Sequence, residues 1–391
     1  MKEASMNRRT LILAAASRLG LGAPPRRKYR AAVIGHTGHG NYGHGLDIVW
    51  RAFDWIEVVA VADPDEAGRA QAQQRTGAAR AYADYREMLR REKPDLVSVG
   101  PRWLDQRVAM IEAACEAGAH IYTEKPFARD LEEADRIVAA VRRAGVKLQI
   151  AHQMRGSPFL RQAHELVRSG VIGSIQEVRC RGKEDHRAGG EDLMVLGSHL
   201  CDVMRLFLGD PQWVFAHVTQ DGEELAPRHT RQPTEPIGPV AGNQIAAMFA
   251  FPGGVHGYLA SKACPETHPL RFGTWIFGSK GVIFLPNAIY PDGQPFLLRA
   301  PAWFPGGAHG WEKIPPMPGW DELAERGRDA TLVANALMVR DLVEAIERDR
   351  KPLCNEEDGR WTIEMISGVY QSQKAGRPVA FPLTERRHPL A

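Results

Sequence analysis

Cysteine is scarce in this chain, and what there is lies scattered. Cys115, Cys180, Cys201, Cys264 and Cys354 are the only five in 391 residues, and no two form a CxxC pair. That argues against a disulfide framework and a zinc site, and leaves buried small hydrophobes as their expected role. An excess of one charge is lacking too: fifty basic residues oppose forty-seven acidic ones, for a formal net charge of +3. No basic face follows from that balance, so nucleic acid is not an expected partner. The basic clusters Arg26-Arg27-Lys28 and Arg386-Arg387 lie near the ends and read as solvated tails. No segment approaches about eighteen uninterrupted apolar residues, so no membrane span is expected. No internal repeat is visible.

Apolar residues are plentiful. They make up 44% of the chain, which at this length supports a globular protein of two domains. The start, Asn7-Arg8-Arg9-Thr10-Leu11-Ile12-Leu13 followed by Ala14-Ala15-Ala16, resembles a twin-arginine export signal, although Arg18 interrupts its apolar stretch. The other reading is a leader on a cytosolic enzyme. Residues 1–28 are therefore set apart as a leader, and both cytoplasm and periplasm stay open.

Residues 29–151 alternate short apolar runs with stretches of helix length. Ala31–Ile34, Ile56–Ala62, Asp95–Val99, Ala119–Thr123 and Val146–Ala151 read as strands; Ala67–Gln74, Tyr85–Arg91, Gln106–Gly118 and Leu131–Ala144 read as helices. This order predicts an α/β domain whose parallel sheet is covered on both faces. Residues 152–391 change character. Helices are expected over Phe159–Ser169 and Gly197–Leu208, with strands at Ile175–Gly182, Asn243–Phe251 and Val255–Ser261. The turn Pro252-Gly253-Gly254 marks one hairpin and Gly278-Ser279-Lys280 another, so this half reads as an α+β domain. Pro286–Met317 reads as a surface excursion, and Ala330–Arg348 and Asp358–Gln373 as closing helices.

The first strand runs into Gly35-His36-Thr37-Gly38-His39-Gly40-Asn41-Tyr42-Gly43-His44-Gly45. Two glycine registers fit a dinucleotide loop, one from Gly35 and one from Gly38. In either, glycines let the backbone approach a pyrophosphate and the following helix offers its N-terminus. Gly35, Thr37, Gly38, His39, Gly40 and Asn41 are thus candidate cofactor contacts. Asp63 ends the second strand, where a carboxylate can accept both hydroxyls of an adenosine ribose; with no arginine immediately after it, NAD is expected over NADP. Lys125, in Glu124-Lys125-Pro126, closes another strand at the sheet's carboxyl edge, where such folds bind ligands.

These motifs, together with Val97-Ser98-Val99-Gly100-Pro101, Gly197-Ser198-His199-Leu200-Cys201-Asp202 and the tail Tyr370–Arg377, resemble the Gfo/Idh/MocA oxidoreductases. The resemblance runs from Tyr29 to Leu383. It implies a Rossmann domain followed by an α+β domain with a large, mainly antiparallel open sheet. It also implies a sugar, polyol or related substrate in the cleft between them, and a homodimer or homotetramer joined through the sheet. Lys125 then sits near nicotinamide and the reacting hydroxyl, Glu124 orients the nicotinamide ribose or the lysine, and Pro101 adjoins the cofactor.

One departure stands out. Many members carry an aspartate four residues before the histidine; here His199 is preceded by Val195. His199 remains the candidate proton acceptor. The charged run Lys183–Asp192 reads as a substrate loop, with Lys183, His186 and Asp192 as substrate contacts and Glu191 or Asp192 placed to fill the missing carboxylate's space. His152 and Arg155, after the last Rossmann strand, are further substrate contacts; an interdomain salt bridge is the other reading. His186, Glu191 and His199 match no metal-ligand spacing, so no metal is expected.

The leading functional expectation is NAD-dependent oxidation or reduction of a sugar-like hydroxyl. A second is hydrolysis or elimination at a glycoside through transient oxidation, without net redox. A third is a nucleotide-bound sensor without chemistry.

Overall fold

The computed structural model describes residues 27–264, 266, 271–286, 294–317 and 330–391. The twin-arginine-like motif lies outside the described residues. Six parallel strands form the first sheet: β1 (Tyr29–Ile34), β2 (Ile56–Ala62), β3 (Arg80–Tyr82), β4 (Leu96–Val99), β5 (His120–Thr123) and β6 (Leu148–Ile150). Their order is β3-β2-β1-β4-β5-β6, the doubly wound dinucleotide-binding arrangement. β1 and β4 are apolar almost throughout because both faces are covered. The covering helices are α1 (Glu66–Thr76), α2 (Tyr85–Glu92), α3 (Arg107–Glu116) and α4 (Leu131–Ala144). α4 shows why such a segment is helical. Asp130 caps its start by accepting from the Glu133 N–H, its apolar residues are buried, and Gly145 ends it in the left-handed region at φ 66°.

The expected helix after the glycine loop is absent. Residues 37–48 run through turns, and only a 3-10 turn, Val49–Ala52, follows. Gly38, Gly40, Asn41, Gly43 and Gly45 all adopt positive φ, which no right-handed helix contains. Anion binding by a helix N-terminus is therefore not available at this loop.

The second domain is built on ten strands: β7 (Ile175–Arg181), β8 (Trp213–Gln220), β9 (Glu223–Glu224), β10 (Gln244–Ala250), β11 (His256–Lys262), β12 (Gly273–Gly278), β13 (Gly281–Pro286), β14 (Phe296–Leu298), β15 (Trp311–Lys313) and β16 (Val379–Ala380). The order is β15-β14-β13-β12-β7-β11-β10-β8-β16, with β9 beside β8. Among the described strands of this sheet, only β7 and β11 pair in parallel. Both expected hairpins are present, β10–β11 and β12–β13, and the expected surface excursion in fact contributes β14 and β15 to the sheet edge.

α5 (Pro158–Arg168), α6 (Gly190–Val195), α7 (Gly197–Leu208), α8 (Ala330–Glu347) and α9 (Glu356–Ala375) complete the fold. α7 packs on β7 and β12, and α9 lies between β8, α7 and the Rossmann helix α4. α8 returns to the first domain, against β6 and the turn after the glycine loop. One face of the large sheet is thus covered. The other keeps Phe215 and Tyr258 exposed, as alternation along half-buried strands requires.

Candidate active site

β5 delivers Lys125 to the carboxyl edge of the Rossmann sheet. The lysine is only 5% exposed, and its Nζ donates to the Val195 carbonyl, 3.2 Å away at the end of α6. Burial holds its ammonium below the ordinary lysine range; Glu124 and Glu235 oppose that shift, while Arg187 and Arg102 add to it. Glu124 is fully buried. One oxygen accepts from the backbone N–H and the Nδ1 of His44, each at 2.7 Å, and the other accepts from the Lys125 N–H at 2.9 Å. Burial disfavours its charge, yet His44 and then Lys125 draw the carboxyl down to about 2. Glu124 therefore ties the lysine's backbone to the glycine loop.

Behind this turn lies Arg107, at the start of α3. Its guanidinium is fully buried and donates to the carbonyls of Glu124, Pro126 (2.8 Å) and Pro101 (2.6 Å). Burial lowers its pKa to about 10. Neither Arg107 nor His44 was among the residues expected from sequence. His44 lay in plain view within the glycine loop, whereas nothing in Gln106-Arg107-Val108 signals a buried arginine.

His199 stands near the start of α7, two residues beyond the break at Leu196 and Gly197 that separates it from α6. Val195 and His199 thus straddle a helix junction. Burial above all, then the charge of Lys125, holds His199 well below 6.5, so its ring is neutral, and its buried Nδ1 has no hydrogen-bond partner. His152 packs beside it with ring centroids 5.0 Å apart, and neither of its buried nitrogens has a hydrogen-bond partner. Asp202 lies 3.5 Å from the His152 Nδ1.

Several expected contacts are engaged elsewhere. Arg155 grips Asp202 of α7 through Nε (2.7 Å) and a terminal nitrogen (2.8 Å), an ion pair of the kind that was the other reading for it. His152, Asp202 and Cys354 bring three ligand-type atoms together, but that arginine already supplies the positive charge there. Asp192 is buried, accepts from Ser261 Oγ at 2.6 Å and from the Glu184 N–H at 3.1 Å, and serves to pin its own loop. Burial raises its pKa. Glu191 binds Arg231 and Thr234, so neither acid fills the place left by Val195. Lys183 is 3.5 Å from Asp185, and His186 is 71% exposed with its ring 3.9 Å from the same carboxylate. Gly190, Glu191 and Asp192, expected in a loop, begin α6.

The cofactor side is built around Asp63. Its buried carboxylate accepts from the Thr37 N–H and Oγ1, the Tyr42 hydroxyl and the Asp65 N–H. The ribose hydroxyls expected there would have to share an acceptor that already has four protein donors. Arg69, which the sequence gave no reason to place there, donates to the Asp63 carbonyl at 2.7 Å. A Cβ on Gly35 would collide with the Tyr42 ring, and one on Gly40 would lie 2.6 Å from the Trp103 nitrogen. Those two glycines are required by the loop's own packing. Gly38, with φ 75° and open space around it, is the one left facing outward. The Asn41 side chain accepts from the Gly38 N–H, and His39 bonds Asp105 at 2.7 Å while packing edge-on against Trp103.

The residues fit a bound dinucleotide in two respects. The crevice lies at the β1/β4 switch point, where the sheet order reverses. Buried nitrogens of Arg102, just after β4, and of His152 and His199 lack hydrogen-bond partners.

The family models decide the matter. Residues 29–152 match the oxidoreductase family, NAD-binding Rossmann fold, and residues 160–284 match the GFO/IDH/MocA C-terminal domain. The chain belongs to the Gfo/Idh/MocA oxidoreductase family. Among its curated relatives is a D-apiose dehydrogenase of Paraburkholderia graminis, 26% identical over 384 residues, 93% of this chain and 92% of that protein. A levoglucosan dehydrogenase of Pseudarthrobacter phenanthrenivorans is 28% identical over 228 residues, covering 51% of this chain and 57% of that one. A solved levoglucosan dehydrogenase bound to NADH and levoglucosan shares the fold with a TM-score of 0.73 at 18% identity, covering 91% of this chain and 100% of that one. Residues 29–152 thus form an NAD-binding Rossmann fold, and no helix among the described residues is long and apolar enough to cross a membrane.

Proposed function

We propose that the chain oxidises a hydroxyl of a sugar or polyol, with Lys125 polarising the oxygen and His199 taking its proton. The observation that carries this reading is the pairing of a buried ammonium with a neutral imidazole whose Nδ1 has no partner. NAD, when bound, supplies the hydride acceptor. Lys125 favours alkoxide character on the substrate oxygen, which eases departure of the hydride. Being neutral, His199 accepts the hydroxyl proton without first losing one of its own. Gly38 and the loop around it hold the pyrophosphate side, and Glu124 with Arg107 fix the backbone that carries the lysine. The relatives named as dehydrogenases of D-apiose and levoglucosan support a carbohydrate substrate.

The test is Lys125→Ala, assayed for NAD reduction against D-apiose, levoglucosan, D-xylose and D-glucose. Activity is expected to fall at least about a hundredfold while NADH binding persists; undiminished turnover would remove the lysine from the mechanism. Preference for NAD over NADP is part of the same proposal, supported by Asp63 and opposed by the nearness of Arg69. Equal binding of NADPH and NADH would refute it. The exposed face with Phe215 and Tyr258 supports self-association through the large sheet. A monomer in sedimentation would contradict that.

A further inference from the structure

A neutral imidazole accepts a proton on one ring nitrogen while the other already carries one, and the bond made by that second nitrogen decides which is which. The acid that could have set this for His199 is replaced by Val195, and the buried Nδ1 of His199 has no partner. What packs against it is a second histidine. His152 is fully buried, and its ring lies 5.0 Å from that of His199, centroid to centroid, with the planes tilted by 38°. Both of its nitrogens are also without partners. Two neighbouring rings therefore hold three buried nitrogens that make no hydrogen bond, which is costly unless the rings serve one another.

An acid stands behind His152. Asp202, three residues after His199 on α7, brings Oδ2 to 3.5 Å from the His152 Nδ1. Arg155 clamps Asp202 through Nε at 2.7 Å and a terminal nitrogen at 2.8 Å, and the Cys354 thiol lies 3.6 Å from its other oxygen. Burial disfavours the charge of Asp202, yet Arg155 holds its carboxyl well below the ordinary range, so it stays an acceptor. Of the other titratable groups close to His199, Lys125 can only donate, and His44 is bonded to Glu124. We propose that His152 is a positioning residue for His199: its Nδ1–H turns to Asp202, its Nε2 accepts from the His199 Nδ1–H, and the His199 Nε2 is left to take the substrate proton. This rests on the reading of His199 as the proton acceptor. In the reaction the substrate O–H proton passes to the His199 Nε2 and the hydride to bound NAD, while His152 and Asp202 end as they began. A base oriented by a third group is thus assembled from two histidines and an acid that lies beyond them.

The deciding measurement reads nitrogens and needs no substrate. In the full chain carrying nitrogen-labelled histidine, with NADH present at about pH 8, where His199 is neutral, correlation NMR separates protonated from bare ring nitrogens. The signals lost in His199→Gln identify that ring. The parent is expected to hold His199 in the Nδ1–H form. His152→Phe keeps a ring but removes both nitrogens, and is expected to return His199 to the Nε2–H form that free imidazole side chains favour. The same variant is expected to lower kcat about a hundredfold with KM changed less than about threefold. His152→Gln can still accept a hydrogen bond and is expected to keep the Nδ1–H form. A parent His199 in the Nε2–H form overturns the proposal without any variant, and so does an Nδ1–H form that persists in His152→Phe. A chain that oxidises no sugar overturns the proposed reaction instead, and the nitrogen signals still decide the role of His152.

Discussion

His199 combines two properties that seldom coexist in a surface histidine: it is buried, and one of its ring nitrogens lacks a partner. Its folded pKa lies below its unfolded value of about 6.5, so between those two values the unfolded chain binds the extra proton. Stability is therefore lost as pH falls below about 6.5, and the loss is complete below the folded pKa. His199→Gln is expected to retain more of its neutral-pH melting temperature at pH 5 than the parent does, while losing activity at least about a hundredfold. Equal acid sensitivity in both would assign the effect to His120, His164 or His388, which burial also holds low. At this scale the sequence was an uneven guide. A motif singled out Lys125 and a register His199, and the structure buries both. Asp192, Arg155 and Asp63 were legible as residue types, but their hydrogen bonds were not. Which of several nearby donors a carboxylate accepts from depends on packing between segments far apart in the chain.

Among the elements, strands and helices with clear periodicity came out where expected: β2, α4 and α7 have the expected ends. β3 was missed because three residues, Arg80-Ala81-Tyr82, carry too little pattern to distinguish an edge strand from a loop. β8 was missed despite its alternation, and α6 because glycines flank six residues on either side. The glycine loop failed differently. Its spacing was recognised, but the number of positive-φ residues excludes the helix that such spacing usually precedes. In place of a helix dipole, side chains from other elements brace the loop: Glu124 from β5 holds His44, and Arg107 from α3 holds Glu124's carbonyl. Arg107→Met would leave three buried carbonyls short of a donor. It is expected to cost about 3 kcal/mol in urea unfolding and to lower turnover, since the turn carrying Lys125 loses its anchor. A loss below about 0.5 kcal/mol would mean that water replaces the guanidinium.

Across the whole molecule, the two domains are laced together more than a two-part sequence suggests. α9 packs on both, Arg155 of the connecting segment binds Asp202 of α7, and the 231–240 loop reaches back to Leu104. The boundary near residue 151 rests on a change in periodicity along the sequence. The return of α8 was legible only as a helix, because nothing in its sequence names its neighbour.

That neighbour is the glycine loop. Asn335 of α8 donates to the His44 carbonyl at 2.7 Å and accepts from the Tyr122 hydroxyl of β5 at 2.6 Å. A growing polypeptide that has already emitted all six parallel strands must still add nearly two hundred residues before this brace exists. The nucleotide loop is thus among the last parts to set during synthesis, although it is among the first to be made. A fragment of residues 29–151 expressed alone is accordingly expected to show no NADH binding by fluorescence titration; binding as tight as that of the full chain would mean that the loop sets without α8.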